Sequence, residues 1–224
     1  MQHRAFVSRA SKATRPRRSR SENFTYAGRP LSPEGLTIDD GSRDVHLVFV
    51  CTGNICRSPT AERLTRAFAE QHGLARLTAT SAGTRAVVGY GMEPTAAEVL
   101  RRMGGNPKDF RARQLSPALV DDADLVLTMT TRHRDKVLTE NPRALRRTFT
   151  LLEAGRLLAI PVAAETVVHR LAQARGQQMR GERLDDIADP IGREYATFKD
   201  ISAQVAEALR PLLHALREDP TLRR

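Results

Sequence analysis

The sequence predicts an α/β fold built on a mostly parallel sheet. Strand-like and helix-like stretches alternate from Val45 to Leu216, the pattern of strand–helix–strand crossovers. The first strand-like run is continuously apolar and β-branched rather than alternating, as strands covered on both faces are. It leads into a short glycine-containing loop ahead of a helical pattern, the place where an open sheet of this class takes its ligand.

The elements follow in order. "VHLVFV" from Val45 is the first strand. "SPTAERLTRAFAEQHG" is a helix: Ser58 is placed to cap it, Pro59 suits the first helical position, Glu62 lies in the first turn and Gly73 stops it. "LTATSAGT" is a second strand and "EPTAAEVLRRMGG" a second helix, closed by Gly104 and Gly105. "ADLVLTM" is a third buried strand, and the helix through "TRHRDKVLTE" ends at Asn141-Pro142. "RTFTL" is a fourth strand. "PVAAETVVHRLAQARG" is helix-rich, "RLDDIADPIGREY" is a loop, and a final amphipathic helix runs from about Thr197 to Leu216.

The chain has 224 residues, enough for one medium domain with a real core. Its net charge of +10 raises nucleic-acid binding as a possibility, but the excess is uneven. Arg4, Arg9, Lys12, Arg15, Arg17, Arg18 and Arg20 crowd the first twenty residues with no acid among them. Residues 1–43 therefore read as a basic, solvated tail, 44–218 as the domain and 219–224 as a short C-terminal tail. The domain shows no interleaved basic and aromatic patch on which bases would stack, so nucleic acid is not its expected partner. No window is long and apolar enough to span a bilayer, and no apolar segment follows the arginines as a secretory signal requires.

Two cysteines form neither a disulfide framework nor a zinc ligand set. His46, His72, His133, His169 and His214 have no metal-ligand spacing and read as surface or packing residues. No metal or cofactor is implied, and a reducing, cytoplasmic setting fits best.

Both cysteines lie in one stretch, Cys51-Thr52-Gly53-Asn54-Ile55-Cys56-Arg57-Ser58. A tight loop at this junction turns backbone N–H groups toward one point, and the following helix adds partial positive charge. Gly53 permits a backbone conformation that L-residues resist, and Asn54 tolerates the left-handed region. Arg57 can close the cradle with a bidentate fork on two phosphate oxygens. Cys51 at the floor is expected as a thiolate, its pKa drawn below the usual ~8.5 by the positive surroundings, with Ser58 donating to the sulfur.

On these residues the stretch resembles the low-molecular-weight protein tyrosine phosphatase family, whose signature is a cysteine, five residues, then Arg-Ser. "VCTGNICRSPTAE" matches almost throughout, and "TSAGT" at 80–84, "FRARQL" at 110–115, "DADLVLTM" at 122–129 and "DP" at 189–190 follow in the family's order. The resemblance covers about 45–217. It implies a three-layer fold: a four-stranded parallel sheet flanked by helices on both faces, with the phosphate-binding loop after the first strand.

The resemblance also implies roles. Cys51 attacks phosphorus to form a cysteinyl-phosphate, Arg57 and the amides of residues 52–58 hold the oxygens, and Asp189 serves as general acid ahead of Pro190. Asp185 and Asp186 are nearby competitors for that role. Asn54 and Ser81 pair to brace the loop, with Ser58. Phe110 stands where many members place a histidine, so any bracing from there is absent or replaced by packing. Ile55, Val87, Tyr90 and Ile191 are candidate walls of the substrate slot.

Cys56 is either a resolving thiol that traps an oxidised Cys51 as a disulfide or a small loop residue. Ile55, where arginine-directed relatives carry threonine, favours phosphotyrosine on a protein substrate, a tyrosine kinase among the candidates. A protein arginine phosphatase and a non-catalytic anion-binding module remain alternatives. An arsenate reductase would need further cysteines downstream, and the chain has none after Cys56. The 161–184 stretch either covers the site or docks a partner. Oligomeric state is not set by the sequence.

Overall fold

The computed structural model describes residues 44–177 and 185–222. The expected tail at 1–43, residues 178–184 of the 161–184 stretch, and residues 223–224 lie outside the described residues.

The first strand, β1 (Val45–Cys51), feeds α1 (Arg57–Gln71) through the cysteine loop. There follow β2 (Leu77–Gly83), α2 (Pro94–Arg102), the short α3 (Pro117–Asp121), β3 (Leu125–Thr128) and α4 (Thr131–Glu140). A 3₁₀ turn (Pro142–Arg147) leads to β4 (Thr148–Thr150), α5 (Leu151–Leu157), α6 (Val167–Gln177) and the long α7 (Tyr195–Glu218). The four strands pair in the order β2-β1-β3-β4, all parallel. The chain leaves β1 to one side and returns to its other side at β3, so the switch point lies at the carboxyl ends of β1 and β3. An open sheet places its crevice there.

Helices cover both faces of the sheet because β1 is apolar on both. Leu47 and Phe49 point to one side with Leu125, Leu127 and Phe149, against α5, α6 and α7. Val48 and Val50 point to the other with Val126, against Val120, Val137 and Ala144. This alternation follows from the period of two along a strand. Among the described residues, no helix is long and apolar enough to cross a membrane.

Helix ends follow local chemistry. Gly73 takes φ 65° just past α1, while Leu74 N–H donates to Ala69 (2.9 Å) and Gly73 N–H to Glu70 (3.3 Å), closing the helix in a Schellman turn. The start of α1 differs from expectation. The helix begins at Arg57 with Cys56 at the cap position and no side-chain cap, because the Ser58 hydroxyl is engaged in the cysteine loop.

Two further differences concern the C-terminal half. The sequence after β4 holds a separate helix, α5, begun by a reciprocal Thr150/Glu153 capping box. The following stretch is non-helical through Thr166, so α6 is shorter than the helix-rich reading of 161–176. The expected C-terminal tail is docked through Leu222: Asp219 and Leu222 are buried, and the Asp219 carboxylate accepts from Val167 N–H at the start of α6 (3.0 Å).

Candidate active site

The loop between β1 and α1 is held from outside. Its carbonyls are taken by neighbours: Thr84 N–H donates to Cys51 O (2.9 Å), Arg85 to Thr52 O (3.0 Å), Val87 to Gly53 O (3.0 Å) and Glu93 to Ile55 O (2.8 Å). The N–H groups of residues 53–58 donate to no acceptor among the described residues. Backbone donors seldom go unpaired. A row of them at a helix start is an anion-binding surface.

Asn54, not Gly53, carries the left-handed backbone, with φ 55°. Its side chain explains why: short and polar, it bonds its surroundings from that conformation. Fully buried, its Nδ2 donates to Ser58 Oγ (2.9 Å) and Ser81 Oγ (2.8 Å), and its Oδ1 accepts from Arg113 N–H (2.9 Å). Ser81 passes the chain on, donating to Glu62 Oε2 (2.7 Å). Arg113 belongs to the segment that carries Phe110. Phe110 itself is buried among Cys56, Met92 and Leu100, so packing fills the place of the family's histidine. A Cβ at Gly53 would sit in ordinary contact with Ile55 at 3.5 Å and Val87 at 3.7 Å. Gly83 of β2 is bound more tightly to the loop, since a Cβ there would fall 2.4 Å from Thr52 O and 3.0 Å from Ala86 Cα.

Cys51 Sγ lies buried 2.9 Å from Ser58 Oγ. Arg57 is buried as well. Its Nη1 donates to Ile187 O (3.0 Å) and its Nη2 to the Asp189 carboxylate, tying α1 to the loop before α7. Asp189 is about half exposed, at 46 %, and its Oδ1 accepts from Ile191 N–H (3.3 Å). Its two competitors are occupied elsewhere. Asp185 is buried in a bidentate pair with Arg156, and Asp186 accepts from Thr131 N–H at the head of α4 (2.7 Å).

The cleft over Cys51 has a volume of about 440 Å³. Ile55, Val87 and Ile191 form its apolar wall, Asp189 is the one carboxylate on it among the described residues, and Arg85 adds a cation that sequence reading missed. Tyr90 does not line the cleft; it stands 68 % exposed, turned by the bond from its N–H to Val87 O (3.1 Å). The α6 segment packs with α5, α7 and the 3₁₀ turn, so the described part of 161–184 does not cover the site.

Two pKa shifts mark the surroundings. Burial pushes the Cys56 thiol well above its ordinary range, Cys51 and Asp189 add to the shift, and Arg57 opposes it. Cys56 is thus a neutral thiol in an apolar cluster. His133 is lowered from 6.5 to about 4, first by burial and then by Arg57, against Asp186 and Asp189. Its Nε2 meets Thr52 Oγ1 (2.9 Å) and its Nδ1 meets Thr130 Oγ1 (2.8 Å). The packing role expected for His133 is therefore specific: it props the catalytic loop from α4. A lone histidine among six, 81 residues from its partner Thr52, carries no signal in the sequence.

Fold and loop together define a class: a phosphatase of the small parallel-sheet type, with its anion cradle at the end of the first strand. A family model described as low molecular weight phosphotyrosine protein phosphatase matches residues 46–155. The probable low molecular weight protein-tyrosine-phosphatase EpsP of Ralstonia solanacearum is 36 % identical over 173 residues, covering 76 % of this chain and 97 % of that protein. The low molecular weight protein-tyrosine-phosphatase Wzb of Salmonella typhi is 45 % identical over 87 residues, 39 % of this chain, and the match spans about half, 55 %, of its length. The solved YwlE arginine phosphatase from Geobacillus stearothermophilus superposes with a TM-score of 0.60 at 27 % identity, covering 80 % of this chain and 97 % of that one. The chain belongs to the low molecular weight phosphotyrosine protein phosphatase family.

Proposed function

We propose that this protein hydrolyses phosphate monoesters of protein tyrosine through a cysteinyl-phosphate intermediate. The observation that carries the reading is the Cys51 sulfur, 2.9 Å from a serine hydroxyl, at the foot of a row of backbone donors with no acceptor among the described residues. The Ser58 hydroxyl stands against the sulfur, and the amides with Arg57 receive the three non-bridging oxygens as charge shifts among them. The sulfur lone pair forms the S–P bond as the P–O bond to tyrosine breaks. Asp189 gives the departing oxygen a proton. In the second half-reaction, water displaces the sulfur and gives its proton to the same carboxylate. Phosphate entry turns Arg57 from Asp189 to the oxygens and so releases the carboxylate for that work.

The wall of Ile55, Val87 and Ile191 suits an aromatic ring better than a guanidinium, which would want more than the single carboxylate present. Turnover of p-nitrophenyl phosphate in EDTA, abolished by Cys51→Ser, tests the nucleophile; turnover retained in that variant refutes it. Phosphotyrosine and phosphoarginine peptides of one sequence test the substrate, and a preference for phosphoarginine reverses the assignment.

A further inference from the structure

The catalytic cleft has a neighbour. A second cavity, of about 220 Å³, shares Thr52 and Arg85 with it and is otherwise walled by Thr84, Arg132, His133 and Lys136. Among the described residues, no carboxylate lines it. Three of its six walls are basic side chains, all exposed. Arg85 and Arg132 form no ion pair among the described residues. Lys136 reaches Glu140 one turn along α4 (2.8 Å), both partly exposed, and a surface pair of that kind exchanges readily. Nearby acids are turned to other partners: Asp186 to Thr131 N–H and Asp135 to Arg134.

This cavity is fixed in register with the chemistry. Arg85 N–H donates to Thr52 O (3.0 Å) and Thr84 N–H to Cys51 O (2.9 Å), while His133 joins Thr52 to α4 from the other side. A ring seated over Cys51 leaves its polypeptide at the cleft mouth, where Arg85 stands between the two cavities. Extended chain advances roughly 3.3–3.6 Å per residue, and the two cavities adjoin at Thr52 and Arg85, so residues close to the phosphotyrosine in the polypeptide are the ones that meet the second cavity.

Building on the phosphotyrosine reading above, we propose that this basic cavity is a specificity subsite that takes an acidic side chain of the substrate polypeptide two or three residues from the scissile phosphotyrosine. Charge complementarity of this kind steers encounter and sets register, so its effect falls on KM and on kcat/KM rather than on kcat.

The test compares paired phosphotyrosine peptides, with glutamate or glutamine at the flanking positions, in the full chain and in Arg132→Ala/Lys136→Ala. Glutamate is expected to raise kcat/KM about five- to tenfold in the unmodified protein, through KM, and the gain should shrink with added salt. In the double variant the two peptides converge, while p-nitrophenyl phosphate turnover is unchanged. Equal kcat/KM for both peptides in the unmodified protein overturns the subsite, as does a glutamate preference that survives the double substitution. Failure of the phosphotyrosine reading itself would show differently, as absent turnover of every phosphotyrosine peptide.

Discussion

Replacing Asn54 with alanine should disable the loop without unfolding the domain. The substitution puts alanine at φ 55°, where a Cβ without a local hydrogen bond costs about 1 kcal/mol. It also strips the acceptor from Arg113 N–H, a partly buried donor whose loss of partner costs ~1–3 kcal/mol. Ser81 keeps its bond to Glu62 and Ser58 its contact with Cys51, so those hydroxyls are not orphaned. The sum is about 2–4 kcal/mol, charged almost wholly to the shape of residues 51–58. If the loop reaches its working shape that much less often, kcat/KM on p-nitrophenyl phosphate falls roughly 30- to 1000-fold. Asn54→Gly removes the backbone strain but not the lost bonds, and should lie between alanine and the parent. Circular dichroism and thermal unfolding report whether the fold persists. A folded Asn54→Ala protein with kcat/KM within twofold of the parent would refute the claim that this side chain shapes the cradle.

Asp189→Asn should lower kcat on phosphotyrosine by about 10²–10⁴-fold, and less on p-nitrophenyl phosphate, whose leaving group needs little protonation; equal losses on both would count against an acid role. Iodoacetamide at neutral pH should label Cys51 and spare Cys56, whose buried thiol is held neutral, and peptide mapping that finds Cys56 labelled in the folded protein would contradict this. The His133 ring, lowered from 6.5 to about 4 in the fold, binds its proton more readily in the unfolded chain. Its contribution to stability is therefore complete above about pH 6.5 and is lost as pH falls toward 4. The melting temperature of the parent should drop more steeply over that window than that of His133→Gln, and parallel curves would show that the ring does not titrate as described.

The cysteine loop was legible because its own backbone is local, a strand, five residues and a helix start within one stretch of sequence, although the bonds that hold it come from outside. The four strands were legible for the same reason. What escaped depends on distant neighbours. Ser58 has the chemistry of a helix cap, yet a buried sulfur and an amide outcompete the helix for its hydroxyl. Gly53 and Asn54 could both carry the unusual backbone, and the bonding capacity of Asn54, realised through Ser81 and Arg113, decides which of them does. Among the three aspartates at 185–189, only tertiary contacts separate the one beside Arg57 from the two engaged elsewhere. Thr150 and Glu153 spell the capping box of α5, but the mixed β-branched and apolar run across residues 148–152 masks where strand stops and helix begins. Arg85 follows β2 and His133 lies on α4 beyond β3, and no spacing rule joins either to the site.

The bare backbone at Gly83 bears on how such a site could be transplanted. Because an added methyl would collide with the Thr52 carbonyl, the curve of residues 51–58 is cast against its neighbouring strand as plaster against a mould. Moving the eight-residue motif alone onto another scaffold would carry over the casting and leave the mould behind. An engineered host would need an equally naked stretch of parallel strand alongside, so the heritable unit of this chemistry is a pair of adjacent strands rather than a signature peptide.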